Sequence, residues 1–182
     1  IANRGLELMG HARGSYDALH PNGHVNASQS TNDVYPTALR MSAWIGIGEL
    51  LREMAALRQA FEAKAAEFAD VLKIGRTQLQ DAVPMTLGQE FTAFAITLRE
   101  DVNRLRDALP LVREVSLGGT AIGTGINADP AYADLAIAEL SAITGETLVR
   151  SENLVEATSD TGGFVMFSGV LKRCALKLSK IA

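Results

Sequence analysis

Apolar residues recur every three or four positions along two long stretches of this chain, and each stretch predicts a helix with one buried stripe. The first stretch carries Ile47, Leu50, Met54, Leu57, Phe61, Ala65 and Phe68. Asn32 and Asp33 suit its N-cap and Pro36 its first turn. The second carries Leu87, Phe91, Phe94, Leu98, Leu105 and Leu109 up to Pro110, and Thr86 with Gln89 has the spacing of a capping box. Each helix should run for roughly 25 to 30 residues, or about 40 Å. Globular helices usually have ~11 residues, so the pattern predicts an all-α fold, a long-helix bundle with polar and glycine-rich connecting loops. Oligomerisation is one way to cover helices of that length.

Between these helices the pattern is shorter and more polar. An opening Ala-Asn-Arg-Gly-Leu-Glu-Leu helix is broken by Gly10 and Gly14, and Asp17 to Asp33 reads as a polar loop rich in Asn, Ser and His. Val71 to Ile74 fits a short strand, and Gly75 to Asp81 a polar connection into the second long helix. Ser116 to Asn127 holds Gly118, Gly119, Gly123 and Gly125, which allow tight turns and close backbone approach. A shorter helix follows Pro130 and ends near Thr144-Gly145; a last one starts near Ser151 and meets no stop signal by Ala182. No internal repeat, linker or low-complexity tract interrupts this order.

Composition narrows the class. Of 182 residues, 47% are hydrophobic and 21% charged, which suits a soluble unit with a sizeable core and argues against disorder. A net charge of -4, with both signs interspersed, leaves no basic stripe for a phosphate backbone, so nucleic acid is not an expected partner. The single cysteine, Cys174, lies in an apolar helical stretch and reads as a small buried thiol. No run approaches the ~18 apolar residues of a membrane span, and the start lacks the basic-then-apolar order of a signal peptide. A cytoplasmic protein is expected. The chain begins at Ile1 inside a helical pattern with no cap before it, and reads as a piece of something longer.

Two polar segments hold the residue types that grip a small dicarboxylate. In Ser28-Gln29-Ser30-Thr31-Asn32-Asp33, hydroxyls and an amide donate hydrogen bonds, and the helix opening just after adds free N–H groups and a positive dipole end. The same residues also serve as ordinary helix caps, although a cap needs only one of them. In Gly75-Arg76-Thr77-Gln78-Leu79-Gln80-Asp81, Thr77 and Gln78 can donate to a carboxylate or hold an amine, while Arg76 and Asp81 suit an ion pair that pins the loop. The Gly118 to Asn127 loop lacks the Gly-Lys-Ser ending of a P-loop and the spacing of a dinucleotide fingerprint, so nucleotide is not expected there. His20 and His24 are four apart with Asp17 nearby, but Pro21-Asn22-Gly23 makes a turn between them; loop packing is preferred to a metal site. Met41, Met54, Met85, Met166 and Trp44 are expected to be core packing.

Taken together the segments resemble one family, the aspartase and class II fumarase superfamily, over essentially the whole chain. His20-Pro21-Asn22 with His24-Val25-Asn26, Ser28 to Asp33, Gly75-Arg76-Thr77 with Gln80-Asp81-Ala82, Leu87-Gly88-Gln89-Glu90, and Gly118-Gly119-Thr120-Ala121 with Gly123-Thr124-Gly125 occur in the family's order. Gln78 after Thr77, Asn153 to Thr158 and Leu171-Lys172-Arg173 look like the aspartase branch, since fumarases usually carry His after that Thr. Gly23 departs from the family's usual aspartate after His-Pro-Asn and puts in doubt any secondary anion site on that loop.

The resemblance implies elimination of ammonia from L-aspartate to give fumarate, with class II fumarate hydration or a non-catalytic helical scaffold as alternatives. It implies residues 1–35 as the end of an N-terminal domain with a carboxylate-binding loop and 36–182 as part of a central helical domain. Ser30, Thr31 and Asn32 would bind the carboxylate and the opposite end of the substrate, with Thr77 and Gln78 completing the contacts. None of these is the base: in the family a serine of a mobile loop with a Met-Pro-Gly-Lys-x-Asn signature takes the proton, and no such segment occurs here, nor does the family's Gly-Thr-Ser-x-Asn-Met-Asn segment. The chain is therefore expected to be inactive alone. The resemblance further implies homotetramers whose sites are shared between subunits, no membrane partner, no required cofactor or bound metal, and at most an activating divalent cation such as Mg²⁺.

Overall fold

A computed structural model describes residues 1–182, and most of them are helical. The elements are α1 (Ala2–Leu8), α2 (Thr31–Glu67), a β1–β2 hairpin (Leu72–Thr77 and Gln80–Thr86), α3 (Leu87–Ala108), β3 (Glu114–Val115), α4 (Tyr132–Thr144), β4 (Val149–Arg150), α5 (Leu154–Ser159) and α6 (Gly162–Ile181). The long-helix expectation holds, with α2 at 37 residues and α3 at 22. The chain divides into two compact units, one of residues 1–41 with 113–161, the other of 42–112 with 162–182.

In the second unit the buried side of α2, Ile47 and Met54, packs with Leu98, Val102 and Leu105 of α3 and with Phe167 and Cys174 of α6. Fully burying a side chain such as Leu98 or Leu105 contributes roughly 1.5–3 kcal/mol. Phe61, Phe68, Phe91 and Phe94 extend this contact, with ring centroids 5.6–5.9 Å apart. Gly88 sits so close to α2 that a Cβ would stand 2.5 Å from the Ala65 carbonyl oxygen, so only glycine fits there. The capping box at α3 forms as the spacing predicts: Gln89 N–H donates to Thr86 Oγ1 at 3.1 Å, and Thr86 N–H donates to Gln89 Oε1 at 3.0 Å. Cys174 is buried, its Sγ 3.7 Å from Met54 Sδ. Met166 is instead exposed, because α6 turns Phe167 and Cys174 inward and the position before Phe167 lies ~100° round the helix.

Two further expectations give way. The polar connection from Gly75 to Asp81 is a two-stranded antiparallel hairpin, with Leu72 opposite Thr86 and Thr77 opposite Gln80. Its sequence does not alternate cleanly because the register shifts by one residue between Ile74 and Arg76, a bulge. The single helix expected from Ser151 is two helices, α5 and α6. Asn153 caps α5 by accepting from Val155 and Glu156 N–H, and Asp160 leaves the helical conformation at ψ 132°.

In the first unit a smaller core gathers Val115, Leu117, Ile137 and Leu148, with Val34 packed against it. β3 and β4 pair in parallel, Glu114 with Val149 and Val115 with Arg150. Gly145 ends α4 at φ 72°, in the left-handed conformation expected of a C-cap glycine.

Candidate functional site

The first polar segment is held by reciprocal capping. Ser30 Oγ accepts the Asn32 N–H at 3.1 Å, and Ser30 N–H donates to Asp33 Oδ1 at 3.0 Å. Accepting a bond leaves a hydroxyl its own proton, so Ser30 is both a cap and a donor. The helix therefore starts at Thr31, and Pro36 lies inside it rather than in its first turn. Its ring removes the N–H that the Asn32 carbonyl would otherwise accept. The Asn32 side chain reaches across the fold, Nδ2 donating to the Ala121 carbonyl at 2.6 Å. Ser30 and Thr31 line a cleft of about 350 Å³ together with Asn26, Gln29 and Tyr35; Asn32 does not line it.

Behind this segment lies Asp33, completely buried. Its Oδ2 accepts N–H groups of Gly118 at 3.1 Å and of Thr120 at 2.9 Å. The glycine-rich loop thus binds an anion after all, the chain's own carboxylate. Thr120 has φ 57°, a left-handed conformation worth roughly 1–3 kcal/mol of strain in a β-branched residue. Burial raises the Tyr132 phenol above its ordinary pKa, and the charge of Asp33 adds to the rise. Arg40, also buried, is held below its ordinary value by desolvation, with Glu114 and Asp160 acting in the opposite direction.

The second polar segment is the tip of the hairpin. Thr77 ends β1, and Gln78 and Leu79 form a two-residue turn at φ 50° and 65°. A turn with both residues left-handed matches strand twist, but Asn-Gly is its usual sequence. Gln78 and Leu79 together store a few kcal/mol there. Both Thr77 and Gln78 are exposed, and Thr77 lines a cleft of about 690 Å³ with Lys73, Arg76 and Glu90. Lys73 Nζ meets Glu90 Oε2 at 2.6 Å across its wall. Arg76 pairs with Asp81 at 3.4 Å, but both side chains are about three-quarters exposed, so the pair contributes ~1 kcal/mol at most.

The two histidines serve their loop. His20 Nδ1 accepts the N–H groups of Asn22 at 3.1 Å and Gly23 at 3.0 Å, and His24 Nδ1 accepts the His20 N–H at 2.8 Å. These nitrogens face backbone hydrogens, not an ion. The chain brings together no group of three or more His, Cys, Asp or Glu that could hold a metal ion. No helix is long and apolar enough to cross a membrane.

A family model described as "Lyase" matches residues 1–182. This chain belongs to that lyase family. The chain is 63% identical over 182 residues to an aspartate ammonia-lyase of Pseudomonas aeruginosa, and 55% identical over 181 residues to one of Escherichia coli K12. All of the chain is covered in each comparison, but only 38% of either relative. Among solved structures, a Brucella melitensis protein described as fumarate lyase:delta crystallin bound to cobalt superposes with a TM-score of 0.95 at 62% identity. That match covers 99% of this chain and 39% of the other. A class II fumarase of Schistosoma mansoni superposes with a TM-score of 0.91 at 31% identity, covering 99% and 41% respectively.

Among the expected site residues, Ser30, Thr31 and Asn32 lie side by side in the first unit, and Thr77 and Gln78 adjoin in the second. Tyr35 lines the first cleft and was not among the residues singled out from the sequence; its place one turn after Thr31 was the available signal. The bonds from Asp33 to Gly118 and Thr120 were also not foreseen, although Ser30-x-x-Asp33 has capping-box spacing.

Proposed function

We propose that the whole protein eliminates ammonia from L-aspartate to give fumarate. The observation that carries this reading is 55–63% identity to aspartate ammonia-lyases across the full length of this chain. The reaction removes a proton from the carbon next to the side-chain carboxylate, a very weak carbon acid. Its difficulty is the doubly charged aci-carboxylate that develops, and preorganised donors facing that charge are typically worth ~10² to 10³ each in rate. Ser30 and Thr31 supply hydroxyl donors at a cleft and at a helix start, whose positive dipole end favours an anion. With Asn32 they hold the carboxylate and the opposite end of the substrate, and Thr77 and Gln78 complete the grip. None of these takes the proton, and no residue of this chain is assigned as the base.

The reading extends to the assembly. Sites are shared between subunits of a cytoplasmic homotetramer, which is supported by apolar side chains left exposed on the long helices, among them Ile45, Ile96 and Leu176. In the whole protein, residues 1–35 close an N-terminal domain and 36–182 contribute to a central helical one. No cofactor is required. A divalent cation such as Mg²⁺ is at most an activator.

Fumarate hydration is the second reading, favoured by the superposition on a class II fumarase. Assays of the whole protein with L-aspartate and with malate separate the two: aspartate turnover is expected, and malate turnover without it overturns the proposal. Thr77→Ala should lower kcat/KM by at least tenfold and leave the oligomer intact; unchanged kinetics would remove the hairpin from the site.

A further inference from the structure

We propose that Asp33 is a positioning residue of the dicarboxylate site: its carboxylate docks the start of α2 into the glycine-rich loop and so fixes where Ser30, Thr31 and Asn32 stand. The inference rests on the reading of those three residues as substrate-binding.

A helix cap needs a single bond, whereas Asp33 joins segments more than eighty residues apart. Oδ1 accepts from Ser30 N–H at 3.0 Å, and Oδ2 accepts from Gly118 and Thr120 N–H at 3.1 and 2.9 Å. Gly118 at φ 91° and Thr120 at φ 57° turn two amides onto one oxygen, as in an anion-binding nest of backbone N–H groups. That nest is filled from within, which leaves it no capacity for an external phosphate.

The loop is itself braced. A Cβ on Gly118 would stand 2.4 Å from the Cβ of Ala133, and one on Gly123 would stand 2.3 Å from the backbone of Leu154. Packing at that distance leaves the loop no room to slide, so the amides it offers to Asp33 have fixed directions. The Asn32 amide adds a second tie to the same loop through the Ala121 carbonyl at 2.6 Å. Thr31, between Ser30 held by Asp33 and Asn32 held by Ala121, inherits their placement. A site held only by its own helix would fray with the first turn; this one is anchored from outside the helix.

The test is a double-mutant cycle on kcat/KM for L-aspartate in the whole protein. Asp33→Asn should lower kcat/KM by at least tenfold. If Asp33 acts through Ser30, the Asp33→Asn/Ser30→Ala double variant stays within threefold of the weaker single variant, since interacting residues are not additive. Combined with Thr77→Ala, the losses should multiply. Multiplying losses with Ser30→Ala would make Asp33 a general stabiliser and overturn the proposal. Should neither Ser30→Ala nor Thr77→Ala change the kinetics, the site reading itself fails and takes this inference with it.

Amide exchange on the unaltered protein tests the same coupling if Asp33→Asn does not fold. Saturating fumarate should slow exchange at least threefold in residues 28–33 and 117–121 together. Slowing confined to 28–33 overturns the proposal.

Discussion

Each compact unit buries one aspartate, and the two are surrounded by different chemistry. Asp33 meets backbone, accepting three N–H groups from Ser30, Gly118 and Thr120. Asp101 meets side chains, with Arg173 Nη1 at 2.8 Å and Lys177 Nζ at 3.4 Å, while Glu100 draws the same two cations at 3.9 and 3.4 Å. The Arg173 contact is close in distance, yet neither oxygen of Asp101 has a directed hydrogen bond. We take it as an ionic contact off the bonding direction. Backbone amides have no rotamers to lose once a loop is folded, whereas Arg and Lys carry the charge on flexible stems. The first arrangement therefore fixes a geometry and the second fastens two helices. Placement matters beside a polar cleft; adhesion suffices between α3 and α6.

The contrast can be broken most forcefully from the second side. Arg173→Met with Lys177→Met leaves Asp101 buried without a cation, and should cost about 3–5 kcal/mol, read from the urea midpoint of the whole protein. A loss under about 1 kcal/mol would mean Asp101 rehydrates easily and the two environments are not so different. Asp33→Asn keeps an acceptor for the loop but sets an amide N–H₂ against the Ser30 N–H; about 1–3 kcal/mol should be lost. Unaltered melting would show that the backbone donors hold nothing.

Two smaller effects sharpen the comparison. Thr120→Gly keeps the N–H that reaches Asp33, relieves the left-handed strain and removes a buried hydroxyl without a partner, so stability should rise by about 1 kcal/mol. A fall would show that the lost methyl packing and the greater freedom of glycine in the unfolded chain outweigh the strain. Beside Asp101, burial first and the Asp101 charge second raise the Cys174 thiol above its ordinary 9.0, against Arg173 and Lys177. The unfolded thiol then ionises before the folded one, so this contribution is whole below about pH 9 and fades as pH climbs through the folded pKa. Melting temperature should decline across that window, and less steeply in Cys174→Ala; parallel curves would acquit the thiol.

What was legible in the sequence was what repeats locally. The stripes of α2 and α3, the Thr86/Gln89 box and the Gly145 stop all depend on neighbours within four residues, and all were readable except Leu57, which is exposed. The polar segments were found for the same reason, since hydroxyls and amides before a helix are conspicuous. What bridges distant segments was not. Nothing near Asp33 announces Gly118, and nothing near Asp101 marks it as buried among apolar residues while Glu100 beside it is exposed. The hairpin was obscured by its bulge, and Met166 was misplaced by one position of helical phase.

The turn at Gln78-Leu79 has a practical consequence for anyone seeking a hardier catalyst. A stability-guided redesign would write Asn-Gly there, the pair that relaxes both left-handed residues, and would be rewarded with a higher melting point. The same edit draws the amide of Gln78 back by one methylene, out of its present reach. A screen scored on heat resistance would retain that variant, and, on the function proposed above, a screen scored on ammonia release would discard it.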